Sequence, residues 1–199
     1  YCGTNCRIAE CMLERNVVQG GAYASAGGAG FGGGIFSEGD LRIVCSSVFS
    51  NQARGGEGFG MQPGSALGGG VYGVGRMALW RCVIEGNTAL AGGGTGMAGG
   101  SAAGGGVNCQ SAGITNCLLI GNKATGQGVV FEEVPHGAPG YGGGLFCQNY
   151  ARVENCTIAG NTATFMSRGG GIYGSTGAMI TVMNAIVQSN AAGTGTNSY

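Results

Sequence analysis

Residues 68–87 read GGGVYGVGRMALWRCVIEGN, and the same phrase returns four more times. It appears as GGGIFSEGDLRIVCSSVFSN from Gly32, GGGVNCQSAGITNCLLIGN from Gly104, GGGLFCQNYARVENCTIAGN from Gly142 and GGGIYGSTGAMITVMNAIVQSN from Gly169. A sixth copy without its head, YCGTNCRIAECMLERN, occupies residues 1–16. In each full copy the glycine triplet is followed by an aliphatic residue and, 18 to 21 residues after the first Gly, by an Asn. The triplets stand 36, 36, 38 and 27 residues apart, a period at which each unit buries its core only by stacking on its neighbours.

Gly makes up 47 of the 199 residues, and only 9% of residues are charged. Gly at that density opposes helix by about 1 kcal/mol per residue, and no stretch of ten or more residues carries a clear 3.6-residue stripe. Short apolar alternations such as Leu41 and Ile43 point to strands. The expectation is an all-β chain, a single-stranded parallel β-helix (β-solenoid) of about six rungs with Gly-rich loops on one side. Residues 1–199 form one domain on this reading, with a body roughly 29 Å long at about 4.8 Å per rung.

Alignment on the closing Asn makes Asn16, Asn51, Asn87, Asn122, Asn161 and Asn190 equivalent, each preceded by three positions by an apolar residue: Leu13, Val48, Ile84, Leu119, Ile158 and Val187. An Asn at one corner of every rung can pass an amide N–H to the next, so a buried Asn ladder is expected. The triplets mark corners where a Cβ is not tolerated. A phosphate-binding loop is excluded, because no triplet is backed by a helix and a Lys with Ser or Thr.

The Gly-Gly-Gly-Ile/Val/Leu openers and the closers VFSN, IEGN, LIGN, IAGN and VQSN resemble the GGA-I and F-x-x-N repeats of bacterial polymorphic outer-membrane proteins and related right-handed parallel β-helix surface proteins. The resemblance covers almost the whole chain and implies a right-handed coil on an exported, cell-surface or extracellular protein. This chain differs in a third Gly where that family has Ala, and it shows no outer-membrane barrel.

Nine cysteines is an odd number, so at least one is free, pairs outside the chain, or has lost its partner. Five positions before the closing Asn stand Cys11, Ser46, Cys82, Cys117, Cys156 and Ala185, and a second column holds Cys2, Ser37, Gly73, Cys109, Cys147 and Gly174. Adjacent rungs bring such residues within disulfide range, although parallel Cβ directions disfavour the bond. The cross-rung candidates are Cys109 with Cys147, and Cys117 with Cys82 or Cys156; the competing reading is a stack of free buried thiols. Metal is not expected, since no paired C-x-x-C knuckle is present, and no cofactor is implied.

Parallel β-helices include polysaccharide lyases and hydrolases, whose chemistry needs paired carboxylates or an acidic calcium site. This chain has one Asp, Asp40, and one His, His136; only Glu132 and Glu133 are adjacent carboxylates. No catalytic residue is therefore assigned, and the chain is read as not an enzyme. The better distributed feature is an aromatic file after the opener's aliphatic residue, Tyr1, Phe36, Tyr72, Phe146 and Tyr173, broken at Asn108. Such a file could contact sugars or another chain.

Net charge is zero, which removes the electrostatic footprint for nucleic acid, and no apolar run is long enough to insert in a membrane. The chain starts at Tyr1 and its register runs off both ends, which points to a processed product or a segment. The expected partners are copies of itself, head to tail, or flanking rungs of a longer chain. These readings converge on a structural protein of an extracellular bacterial surface fibre or filament, with a carbohydrate- or host-binding adhesin module as the alternative.

Overall fold

The structure, a computed structural model, describes residues 1–23, 26–58, 62–94, 99–131, 134–193 and 195–196. All regular structure among them is β. Sheet 1 contains Cys6–Ala9, Ile35–Ser37, Leu41–Val44, Val71–Trp80, Val107–Thr115, Leu145–Glu154, Ile172–Gly174 and Met179–Met183. Sheet 2 takes one strand from each phrase: Met12–Glu14, Ser47–Phe49, Val83–Glu85, Leu118–Ile120, Thr157–Ala159 and Ile186–Gln188. Sheet 3 runs Val17–Gln19, Gln52–Arg54, Thr88–Leu90, Lys123–Thr125, Thr162–Thr164 and Ala191–Ala192, and sheet 4 joins Gly30–Phe31, Ala66–Leu67, Ala102–Ala103 and Gly140–Tyr141.

Every pairing between these turns is parallel. Val71 pairs with Ile35 on one side and Val107 on the other, Val107 with Leu145, and Leu145 with Ile172. The chain is therefore a parallel β-solenoid with four closed turns between Ile35 and Ile172, flanked by a partial turn at each end. Its inward columns are continuous: Ile43, Leu79, Ile114 and Val153 from sheet 1 face Val48, Ile84, Leu119 and Ile158 from sheet 2. Each such side chain contributes about 1.5–3 kcal/mol on burial, and only the stack as a whole removes them from water.

Sheet 3 points nothing larger than Ala inward in its interior turns, at Ala53, Ala89, Ala124 and Ala163. The reason is the glycine triplet, which runs directly against this sheet's backbone. Its first Gly takes a left-handed conformation, with φ of +60° at Gly32 and +67° at Gly68. At the second, Gly69, a Cβ would strike the carbonyl oxygen of Gly105 and the backbone of Thr88. At the third, Gly70, it would stand 3.0 Å from the side-chain Cγ of Asn87.

The other two corners also need one left-handed residue per turn. Between sheets 1 and 2 it is Glu10, Cys45, Arg81, Asn116, Asn155 or Asn184, with φ between +47° and +55°. Between sheets 2 and 3 it is Arg15, Ser50, Gly86, Gly121, Gly160 or Ser189. Most are not Gly, so these corners carry no glycine signal in the sequence.

The Gly-rich segments read as loops are themselves stacked. In the described parts of segments 20–30, 55–67 and 91–103 one zigzag of backbone hydrogen bonds crosses all three. Gly28 N donates to Gly21 O at 2.7 Å, Gly56 N to Gly28 O at 2.7 Å, Gly64 N to Gly56 O at 2.9 Å, and Gly92 N to Gly64 O at 2.8 Å. Gly100 N to Gly92 O and Gln127 N to Gly100 O, each at 3.1 Å, complete it. A Cβ at Gly56, Gly64 or Gly92 would lie 2.7 Å from a carbonyl carbon of the neighbouring segment. In the next turn an antiparallel hairpin, Gln127–Phe131 with Val134–Ala138, replaces the glycine segment.

One edge expected to be open is covered. Gly195–Thr196 pairs antiparallel with Ala191–Ala192 and closes the last edge of sheet 3. The corresponding edges of sheets 1 and 2 at that end have no such strand among the described residues.

Two alanine substitutions separate the reasons for glycine. Gly86 has φ +61° but nothing nearer its Cβ position than Ser50 Oγ at 3.7 Å, so Gly86→Ala costs about 1–2 kcal/mol. Gly69→Ala meets backbone that cannot move aside and costs more than ~3 kcal/mol. Urea unfolding checks this, and equal midpoints for the two variants would contradict the packing account.

Candidate functional site

The Asn side chains form a directional ladder on the inner side of the corner between sheets 2 and 3. Asn51 Nδ2 donates to Asn87 Oδ1 at 3.0 Å and to Leu13 O at 2.9 Å, while Asn51 N also donates to Asn87 Oδ1 at 2.9 Å. Asn87 repeats the pattern on Asn122 and Val48, and Asn122 on Asn161 and Ile84. Asn161 donates to Asn190 and Leu119, Asn16 to Asn51, and Asn190 Nδ2 to Ile158 O. Each amide thus spans two turns, and every interior member is buried. A left-handed residue immediately precedes each Asn from Arg15 to Ser189, which turns the side chain into the core.

The cysteine column is the same device at the corner between sheets 1 and 2. Cys11 N donates to Ser46 Oγ at 3.1 Å, Cys82 N to Cys117 Sγ at 3.3 Å, and Cys117 N to Cys156 Sγ at 3.4 Å. Each thiol or hydroxyl in turn donates to the carbonyl two residues back, as in Ser46 to Val44 and Cys117 to Thr115. Hydrogen bonding to Cys156 and Cys82, with burial, pushes the Cys117 thiol up, while hydrogen bonds with Cys117 draw Cys82 and Cys156 down to about 7. In the second column the hydrogen bond with Cys147 and burial push Cys109 well up.

Cys82, Cys109, Cys117, Cys147 and Cys156, the cross-rung disulfide candidates, are all free buried thiols. Cys109 and Cys147 are direct register partners, but in-register Cβ atoms on parallel strands point the same way, and each sulfur already contacts a backbone carbonyl. The disulfide is instead Cys2–Cys6, within one turn, with Cα atoms 5.8 Å apart. Both cysteines belong to one turn, four residues apart, so an alignment of equivalent positions across turns does not pair them.

The aromatic file divides into two ring groups. Phe36 and Tyr72 stack at 5.5 Å, Tyr1 meets Phe36 edge-on at 5.5 Å, and Phe31 of sheet 4 stacks on Phe36 and Tyr72. Phe146 and Tyr173 stack at 6.0 Å, joined by Tyr141 of sheet 4 at 5.1 Å from Tyr173. Phe31 and Tyr141, absent from the sequence alignment, flank the file because sheet 4 runs beside it. Asn108 separates the groups: it is fully buried, its Nδ2 donates to Ala103 O at 3.2 Å, and its Oδ1 has no partner. Except for Tyr1, the rings of the file are half-buried against one another.

Asp40 Oδ1 accepts the backbone N–H of Arg76 at 2.9 Å, a structural role at a register shift of sheet 1. His136 lies in the hairpin opposite Val129; Glu132 and Glu133 lie outside the described residues. Among the described residues no three His, Cys, Asp or Glu side chains come together as a metal site, and no helix is long and apolar enough to cross a membrane.

Comparison with protein-family models, with curated proteins and with solved structures returned nothing similar.

Asn87→Ala removes the acceptor of Asn51 N and Nδ2 and the donor to Val48 O, so at least about 3 kcal/mol of stability is lost at roughly 1–3 kcal/mol per unpaired buried group. Asn16→Ala, at the exposed end of the ladder, stays within about 1 kcal/mol. Chemical denaturation distinguishes them, and matching midpoints would remove the ladder from its central place. For the thiols, iodoacetamide on the native protein labels the exposed Cys11 and Cys45. The five buried cysteines react only after denaturation, and Cys2 and Cys6 only after reduction; mass spectrometry of native labelling at Cys117 would refute the buried column.

Proposed function

We propose that this chain is a non-enzymatic building unit of an extracellular bacterial surface fibre, a right-handed solenoid of six rungs whose end faces stack on further turns, from another copy or a longer stalk. Support comes from the inward columns at the two ends. Val18 is 36% exposed although Ala53, its partner one turn inward, is 0%. Val182 is 39% exposed although its partner Val153 is 0%. These side chains face a core that the terminal strands leave half-built, and further turns complete it.

The ladder adds polarity. From Asn16 to Asn161 each side-chain oxygen that accepts an Asn amide N–H lies in the next turn along the chain, so a continuing stack runs head to tail, a heterologous contact that grows rather than closes. The strand Gly195–Thr196 blocks sheet 3 at one end, so the contact runs through sheets 1 and 2. Right-handed coiling follows the strong preference of parallel crossover connections. A surface location accords with the exposed rings of Tyr1, Tyr23 and Tyr150.

The second reading, an adhesin module for carbohydrate, is favoured by the two ring groups, whose stacked rings are only half-buried.

Electron microscopy of the purified chain tests the stacking. Wild type forms rods of several body lengths at high concentration, and Leu13→Lys, which sets a charge on the end face of sheet 2, leaves short particles with unchanged circular dichroism. Monodisperse single bodies for wild type at all concentrations would refute self-stacking.

A further inference from the structure

The outer face of sheet 1 carries two adjoining open grooves. One, of about 490 Å³, lies over Arg7, Arg42, Arg76, Asp40 and Ala78. The next, of about 420 Å³, continues over Ser111, Gly113 and Tyr150. Arg76 and Met77 line both, so the grooves form one trough that crosses five strands along the solenoid axis.

The charge in this trough is unbalanced. Arg7 and Arg42 are direct register partners on neighbouring parallel strands, where like charges about 4.8 Å apart repel and cost stability. Arg76 stands on the following strand, one residue before Met77, the partner of Leu41. Other arginines of the same sheet are engaged: Arg152 pairs with Glu154 at 2.6 Å, and Arg81, just past the strand end, lies 4.4 Å over the Trp80 ring. No hydrogen bond or ion pair from the side chains of Arg7, Arg42 or Arg76 is formed among the described residues. Asp40 is the one carboxylate lining the trough, and its Oδ1 is held by the Arg76 backbone. Three guanidiniums therefore face one carboxylate on a chain whose net charge is zero.

The floor and far end are shaped differently. The outward column that starts Arg7–Arg42 continues as Ala78 and Gly113 before Arg152, so the middle of the trough is flat and shallow. At its far end Tyr150 is 40% exposed, an aromatic face with a polar tip of the kind that stacks on an apolar sugar face. Guanidinium forks match carboxylate and sulfate oxygens in paired hydrogen bonds. A sheet face offers no unpaired backbone edge to hold a peptide strand, and a neutral chain lacks the broad basic footprint of a nucleic-acid binder.

We propose that this trough binds an acidic glycan strand, its carboxylate or sulfate groups on Arg7, Arg42 and Arg76 and a sugar ring on Tyr150. The site does not require end-to-end stacking: Arg7 belongs to the terminal strand Cys6–Ala9 of sheet 1, but it is exposed, as are Arg42 and Arg76 on the strands behind it.

Microscale thermophoresis of the full chain against polygalacturonate, chondroitin sulfate, dextran and poly-glutamate tests it. At least one of the two acidic glycans binds and dextran does not, the preferred one telling carboxylate from sulfate. Arg7→Gln/Arg42→Gln lowers that affinity by tenfold or more, and Tyr150→Leu lowers it severalfold. The double variant melts no lower than wild type, because it relieves a like-charge pair, so lost binding is separated from lost fold. Failure of both acidic glycans to bind, unchanged affinity in the double variant, or poly-glutamate binding as tight as the glycans overturns the proposal.

Discussion

The structure depends on the contact between the third glycine of each triplet and the Asn side chain that closes the phrase. At Gly34, Gly70, Gly106 and Gly144 a Cβ would stand 3.0 Å from the Cγ of Asn51, Asn87, Asn122 and Asn161. The triplet backbone can therefore lie flat over the amide, and the amide can reach both neighbouring turns. With the amide in place, the backbone of sheet 3 is drawn so close to the triplet that its inward residues shrink to Ala. The wide side of the core is left to Ile, Leu and Val. One close approach thus sets the width of the cross-section and the residue sizes on either side.

The register of that contact is legible in the sequence because a fixed spacing of Gly and Asn survives in every phrase. It places Val48, Ile84, Leu119 and Ile158 in one column, and the parallel pairing of sheet 2 has that register. The corner between sheets 1 and 2 is not legible in this way, because left-handed backbone is carried there by Glu10, Arg81 and Asn116 and never by Gly. A corner enforced by hydrogen bonds from the next turn needs no residue that prefers it. The glycine segments are opaque for a related reason: their order lies in backbone bonds between segments 36 residues apart, and composition alone reads as loop. At the candidate site, column alignment found the Asn, Cys and aromatic positions but not Phe31, Tyr141 or the Cys2–Cys6 bond, which come from a second sheet and from within one turn.

The Cys and Asn columns show one requirement met at two strengths. At Cys11, Cys82 and Cys117, and at the Asn of each turn from Asn16 to Asn161, a backbone N–H is met by a side chain of the next turn that accepts it. Asn does so with a carbonyl that takes two donors, whereas Cys and Ser offer a single weaker acceptor and return their own hydrogen to a carbonyl two residues back. The interchange of Cys with Ser46 in that column fits a polar duty filled by any small donor and acceptor. Buried thiols that serve a ladder in this way have no use for a redox partner.

Because the inward positions are so fully committed to closing turns, variation that matters to other molecules is confined to outward columns. There the neighbours in a column need not match, and they do not: Arg7 and Arg42 give way to Ala78 and Gly113, and Tyr72 to Asn108. In a stack whose interior repeats, such breaks in outward columns are the places where one turn differs from the next. A ligand that spans several turns can be held in one register only where those breaks occur. The trough of sheet 1, charged at one end, flat in the middle and aromatic at the other, is such a break, and its asymmetry would orient a polymer lying along the axis in a single direction.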